Sequence, residues 1–300
     1  MRIDERLGDS APSFSFEFFP PKTDDGARNL ASALDELSGM DPTFVSVTYG
    51  AGGSLEQRAK TIEIVAGIKE DFGLEAMAHF TCVGATVEEL RSTLGLMRDA
   101  GIENVLALRG DPPQGESEWT ATDGGLRYSR ELIELIRTDY PEFAIGAACF
   151  PEVHIHAESP ESDLRYLKEK VDAGARFLIT QFFFDNARYF DFVERARAIG
   201  IEVPIIPGIM PVQDVRQIKR MAGMIASELP AGLLAALESR ADDAQAVRDF
   251  GVSFATLQCA ELLRGGAPGI HFYTLNRSPA TRAILSALRC MAPWRGAVPC

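Results

Sequence analysis

Short apolar runs alternate along this chain with longer stretches whose apolar residues recur every three or four positions. Eight runs read as strands: FSFEFF from Phe14, FVSVTY from Phe44, EAMAHFT from Glu75, NVLALRG from Asn104, AIGAACF from Ala144, FLITQFFF from Phe177, VPIIPGI from Val203 and IHFYTLN from Ile270. Between them the spacing predicts helices over Asp25 to Leu37, Leu55 to Glu70, Val87 to Asp99, Leu126 to Thr138, Ser162 to Asp172 and Asn186 to Ala198. Thr86 stands three residues before Glu89, the spacing of a capping box. Asp99-Ala-Gly and Asp172-Ala-Gly each put a glycine where a helix ends in a left-handed turn. Pro20-Pro21 is expected to stop the first strand.

Strands alternating with helices imply a parallel sheet covered by helices. Eight such units favour a closed (β/α)8 TIM barrel over an open doubly wound sheet. A dinucleotide-binding sheet calls for GxGxxG after an early strand. FPPK follows the first strand instead, and GAGGS after the second has the wrong spacing. The stretch from Pro230 to Gly265 reads as extra helices before the eighth strand. The expectation is therefore one barrel domain over residues 1–300, with its core at about 14–288. FFF at Phe182 to Phe184 is expected to bury rings on both faces of the sixth strand.

Composition narrows the partners. The 300 residues carry 30 basic and 43 acidic side chains, net −13, a surface that repels nucleic acid and anionic membranes. Five scattered cysteines without CxxC fit a reducing compartment. MRIDERLGDS has no apolar signal region, and no apolar run reaches the roughly 18 residues of a membrane helix. A soluble, cytoplasmic protein is expected.

In a barrel, chemistry belongs at the C-terminal ends of the strands. The polar residues there are Glu17, Thr48 and Tyr49, His79 and Thr81, Arg109-Gly110-Asp111, Glu152, His154, His156, Gln181, Asn276 and Arg277. Glu17 is either a salt-bridge partner or a general acid. Its neighbours Phe16, Phe18 and Phe19 are expected to raise its pKa by desolvation. Arg109 and Asp111 either pair together or grip a ligand. Gln181 in an apolar strand needs a partner, from the core or from a ligand. His79, His154, His156 and Glu152 admit a metal site, but no HxxxH or carboxylate-rich pattern supports it, so no metal is expected. Gly-x-Ser-x-Gly is absent.

The stretches FSFEFFPPK, FVSVTYGAGG, AHFTC, LALRGDPP, PEVH, LKEKVDAGARFLITQFFFD, IIPGIMPV and HFYTLNR together resemble the methylenetetrahydrofolate reductase family, in order and over about Phe14 to Leu288. The length resembles the bacterial catalytic barrel alone. The resemblance implies an oxidoreductase acting on CH–NH donors. It implies a barrel that binds FAD non-covalently, takes electrons from NADH or NADPH, and reduces 5,10-methylenetetrahydrofolate to 5-methyltetrahydrofolate for methionine synthesis. It implies small-molecule partners only, and a homo-oligomer.

By the same resemblance Glu17 is the general acid at N10, and Asp111 lies near flavin and pterin. Thr48, Gln181, Gln217 and Arg277 contact folate or the nicotinamide nucleotide. Tyr49, Ala51, His79, Arg109, Gly110, Asp111, Ser129, Phe150, His154, Ala157, Asp163, Tyr166 and Lys170 fall at cofactor positions. Arg109 and Lys170 neutralise the pyrophosphate, and Asp163 holds sugar hydroxyls. Some positions depart from the common pattern. Phe150 stands for a Tyr, HIHA for HPEA, and Tyr166 and Glu169 for Asn and Arg, which puts a negative charge near a diphosphate. The alternatives are direct hydride transfer without flavin, a histidine-ligated metal enzyme, and a folate-binding protein without activity.

Overall fold

The computed structural model describes residues 1–7, 11–49, 55–110 and 122–296, with the backbone alone for 55–57. Its strands are β1 (Ser13–Phe18), β2 (Phe44–Val47), β3 (Ala76–Thr81), β4 (Asn104–Leu108), β5 (Ala144–Cys149), β6 (Phe177–Thr180), β7 (Ile205–Ile206), β8 (Gly208–Ile209) and β9 (Gly269–Tyr273). Its helices are α1 (Asp24–Ser38), α2 (Leu55–Phe72), α3 (Val87–Asp99), α4 (Ser129–Asp139), α5 (Pro160–Ala173), α6 (Asn186–Ala198), α7 (Val215–Ile225), α8 (Ala231–Glu238), α9 (Ala244–Arg264) and α10 (Pro279–Met291).

Every ladder is parallel, in the order β7-β6-β5-β4-β3-β2-β1-β9-β8. This is the expected barrel with one strand broken. VPIIPGI is interrupted at Pro207, which has no N–H to donate. Ile205–Ile206 pairs with β6 and Gly208–Ile209 pairs with β9, so the chain through Pro207 joins the two ends of the ladder. Side-chain bonds reinforce the break. Gly208 N donates to Thr180 Oγ1 at 2.9 Å, and Tyr273 Oη donates to the Thr180 carbonyl at 2.8 Å.

Period two divides the core into an outer and an inner layer. Phe14, Phe16 and Phe18 face outward and pack with Leu30, Leu34 and Leu37 of α1. Inside the barrel, Phe44, Met77, Leu106, Phe177, Ile179 and Ile206 form a separate cluster, closed at the N-terminal face by Ile3. Large rings fit there because other inward positions are small. A Cβ on Gly146 would lie 2.6 Å from Phe177 Cε2 and 3.1 Å from Leu106 Cδ1.

The caps behave as their residues dictate. Glu89 N donates to Thr86 Oγ1 at 3.2 Å while Thr86 N donates to Glu89 Oε2 at 2.8 Å. Gly101 and Gly174 take φ of +71° and +136°. The stretch before the last strand is helical, as α8 and α9. The triple Phe lies beyond β6 rather than within it. Phe183 stacks on Tyr189 in the outer layer, whereas Phe182 and Phe184 enter a third cluster with Met210, Val215 and Ile218. Among the described residues no helix is long and apolar enough to cross a membrane.

Gly146→Ala is expected to overpack the barrel interior against Phe177 and to cost about 1–3 kcal/mol. Urea unfolding should show it as a lower midpoint at unchanged slope.

Candidate active site

The inward residues of β1 are Ser15 and Glu17, and those of β9 are His271 and Tyr273; the register sets Ser15 against His271 and Glu17 against Tyr273. β3 contributes His79 on its inner face. Three strands thereby bring one carboxylate and two imidazoles together. Glu17 Oε2 lies 3.4 Å from His271 Nε2 and 3.3 Å from His79 Nε2. The His79 contact is ionic and not an aligned hydrogen bond. His271 Nδ1 faces Ser15 Oγ at 2.8 Å, and the ring is completely buried, stacked on Phe44. Thr274 Oγ1 donates to the Glu17 carbonyl at 2.6 Å, and the Asn276 amide brackets Phe19, bonding its N–H and its carbonyl, each at 2.9 Å. These bonds stitch the end of β1 to the turn after β9.

This arrangement corrects the expected electrostatics of Glu17. Burial does push its carboxyl up. The charge of His79 and the hydrogen bond and charge of His271 outweigh that and hold it at about 2. Of the aromatic neighbours, Phe16 belongs to the outer layer, while Phe18 and the exposed Phe19 border the cavity into which Glu17 opens. In the ligand-free protein Glu17 is a carboxylate.

Glu17 opens into a cavity of about 230 Å³. Phe18, Phe182, Met210, Met221 and Tyr273 give it apolar walls, and Gln181 is the other polar side chain of weight. Gln181 Oε1 accepts from Phe182 N at 3.0 Å, which leaves its NH2 group for a ligand. Glu17 and Gln181 therefore share one pocket. Gln217 is half-buried at the start of α7, one turn before Met221, and its N–H is capped by Asp214 at 2.7 Å. Arg277 is exposed just after the Asn276 turn, and Thr48 is half-buried beyond β2; neither lines the cavity.

A second group of residues gathers at the ends of β4 and β5. Lys170 is half-buried, and Nζ donates to the Ala148 carbonyl at 2.8 Å. Burial pushes its pKa down; the nearby Asp163 partly offsets this and Arg109 adds to it. Asp163 is pushed up by burial and accepts from His154 N at 3.1 Å. His154 is lowered to about 4 by burial and by the charges of Arg109, His156 and Lys170. Its Nδ1 accepts from His156 N at 3.0 Å, so it is a neutral ring with its proton on Nε2. Phe150 meets His154 edge-on at 4.6 Å, and the Ala157 N–H closes the turn onto the His154 carbonyl at 2.8 Å. Gly110 has φ +93°, and a Cβ there would lie 2.3 Å from Val83 Cγ1, so glycine is required. Tyr49 packs edge-on against Phe80, and among the described residues its buried hydroxyl has no hydrogen-bond partner. Ser129 begins α4. Tyr166 is exposed on α5, and Glu169 pairs with Arg130 at 3.5 Å, which offsets its charge.

Some expectations are redistributed. His79 belongs with Glu17 rather than with this second group. Glu152 bonds to Ser227, so His79, Glu152 and His154 do not converge. Ala51 and Asp111 lie outside the described residues. His271 and Ser15 were not foreseen as site residues; their signal was the inward phase they share with Glu17.

The family model described as methylenetetrahydrofolate reductase matches residues 2–289. Methylenetetrahydrofolate reductase (NADH) 1 of Arabidopsis thaliana is 42% identical over 301 residues, covering 94% of this chain and 50% of that protein. The chain spans about half the length of the plant relatives it matches. The 5,10-methylenetetrahydrofolate reductase of Escherichia coli (strain K12) is 42% identical over 274 residues, covering 91% of this chain and 90% of that protein. Among solved structures, an uncharacterized protein from Clostridium thermocellum that binds two copies of 5-methyl-5,6,7,8-tetrahydrofolic acid shares the fold. Its TM-score is 0.66 at 14% identity, over 96% of this chain and 97% of that one.

A carboxyl depressed from 4.5 to about 2 stabilises the fold above its unfolded value, and that contribution is lost as pH falls through the folded value. The stability advantage of the wild type over Glu17→Gln is expected to shrink steadily as pH falls from about 5 toward 2. Urea unfolding of both proteins across that range measures it.

Proposed function

The chain belongs to the methylenetetrahydrofolate reductase family, and from that premise we propose that it reduces 5,10-methylenetetrahydrofolate to 5-methyltetrahydrofolate with NADH or NADPH through bound FAD. The observation that carries the reading is the meeting of Glu17 and Gln181 in one apolar-walled cavity at the strand ends. The plant relatives are named for NADH, which makes it the donor to test first.

The residues around Lys170 fit a flavin dinucleotide. The Lys170 ammonium, bonded to the Ala148 carbonyl, has donors left for an anion. Arg109 beside it adds a second positive charge for a pyrophosphate. Gly110 lets a ligand approach the backbone, and the unpartnered Tyr49 hydroxyl is available as a donor. Asp163 and His154 are placed for sugar and ring contacts, with Ser129, Phe150, Ala157 and Tyr166 around them. Ala51 and Asp111 complete the set by position in the chain. Held by these residues, a flavin would supply the hydride relay between the nicotinamide nucleotide and the folate methylene carbon.

The protein's own work is to open the folate's five-membered ring. That requires a proton at N10, and Glu17 is the group that faces the cavity to deliver it. Glu17 rests ionised between the two imidazoles, so it must gain a proton before it can give one. A folate filling the cavity displaces water, and desolvation favours the neutral, protonated acid. The proton then moves across the 3.3–3.4 Å contacts to Glu17, and from Glu17 to N10. Ser15 Oγ serves either state of His271, donating to Nδ1 or accepting from it. Gln181 orients the pterin through its free NH2 group. Asp111, directly after Gly110, offsets the cation that forms, and Thr48, Gln217 and Arg277 hold the remainder of folate or nucleotide.

Purified protein should be yellow, should bleach on anaerobic NADH, and should regain colour on addition of methylenetetrahydrofolate. A colourless preparation that still reduces the folate would place hydride transfer directly between nucleotide and folate. Glu17→Gln should keep flavin reduction by NADH and folate binding while folate reduction falls by roughly 10²–10⁴-fold. Lys170→Ala should raise the FAD dissociation constant by about 10–100-fold, the value of a charge-assisted bond to phosphate, measured by flavin fluorescence on release.

A further inference from the structure

Glu152 belongs to neither group of residues, yet it joins them. It lies on the turn between β5 and α5 that carries Phe150 and His154. Its Oε2 accepts from Ser227 Oγ at 2.6 Å, and its Oε1 accepts from Glu228 N at 3.2 Å. Both partners lie immediately past the end of α7. That helix supplies Met221, Met224 and Ile225 to the cavity wall. Its last turn ends at Ala226, a non-glycine residue with φ +54°, and Met224 is 71% exposed. The other ties at this end of the helix are the bonds of Ala226 N and Ser227 N to the Ala222 carbonyl, the Glu228–Arg188 pair at the surface at 3.1 Å, and the packing of Ile225 and Leu229 on the third cluster.

The turn on the other side is strained. Val153 has φ +70°, a region that β-branched residues rarely enter and that persists only when the surroundings impose it. Two anchors flank it. On one side is the Glu152 carboxylate; on the other His154 N donates to Asp163 Oδ2 at 3.1 Å. Val153 N also closes on the Phe150 carbonyl at 3.2 Å. Release of Glu152 frees Val153 to relax and carries Phe150 and His154 with it. The same release loosens the end of α7 and the methionine wall.

We propose that Glu152 is a positioning residue that latches the end of α7, and with it the cavity wall, to the turn bearing Phe150 and His154. The functional part of this inference rests on the reading of the two groups as folate and flavin sites. Two hydrogen bonds to one carboxylate make the wall and the turn a single mechanical unit. A ligand ordered against one then finds the other already in place.

The test uses the purified holoenzyme and the variants Glu152→Ala, Ser227→Ala and Glu152→Gln. Glu152→Ala should raise KM for methylenetetrahydrofolate by roughly tenfold, with kcat within twofold, since it removes binding common to ground and transition states. It should also speed FAD release by a similar factor. Ser227→Ala should act in the same direction and add little in the Glu152→Ala background. Glu152→Gln, which keeps an acceptor and gains a donor, should recover KM to within about threefold. Amide hydrogen exchange reports on the latch without any activity: Glu152→Ala should speed exchange over both 150–157 and 221–229. Exchange confined to one segment, or additive effects of Glu152 and Ser227, overturns the latch. Exchange faster in both segments with KM and FAD release unchanged overturns the positioning role. A wild-type protein that binds no flavin and reduces no folate would refute the functional reading, and the exchange result would still decide the latch.

Discussion

A carboxylate inside a β-barrel is the constraint around which the rest of this structure is arranged. Glu17 is 16% exposed and its carbonyl, its side chain and its neighbour Phe19 are each tied down. An unpaired charge there would be costly, so the barrel supplies two imidazoles from different strands. Those imidazoles can meet Glu17 only if β1, β3 and β9 hold one register. The register depends in turn on the closed ladder and on the small inward residues that leave space for rings. The acid is therefore a reporter of the whole barrel and not a local feature of its strand.

The two groups of polar residues differ in how their charges are satisfied. Glu17 lies between two imidazoles, whose contacts outweigh the burial that pushes its carboxyl up. Lys170 donates to the Ala148 carbonyl, and burial pushes its pKa down despite the nearby Asp163. The first charge is compensated by its barrel neighbours, and the second carries a larger burial cost.

Much of this was readable from the chain, for definable reasons. Strand and helix positions follow from period, and the Thr86–Glu89 box and the glycines at 101 and 174 follow from cap chemistry. VPIIPGI reads as one strand, and the pairing of its two halves with different strands depends on contacts remote in sequence. Glu17 and Gln181 share a pocket. The expected rise in the pKa of Glu17 is reversed because burial is only one part of its balance. Its real neighbours, His79 and His271, come from strands remote in sequence. The role of Glu152 was invisible for the same reason, since Ser227 is 75 residues distant.

The broken strand has a topological consequence. Around most of the barrel, neighbouring strands are joined by rows of peptide hydrogen bonds. Between Ile206 and Gly208 the joint is the covalent chain itself, flanked by the Tyr273 phenol and the Thr180 hydroxyl. Backbone cleavage in a surface loop leaves every ladder of the ring intact. Cleavage at Pro207 would remove the covalent link between the segments that pair with β6 and β9, and leave their union to the Tyr273 and Thr180 side-chain bonds and the His271 N–H on the Pro207 carbonyl.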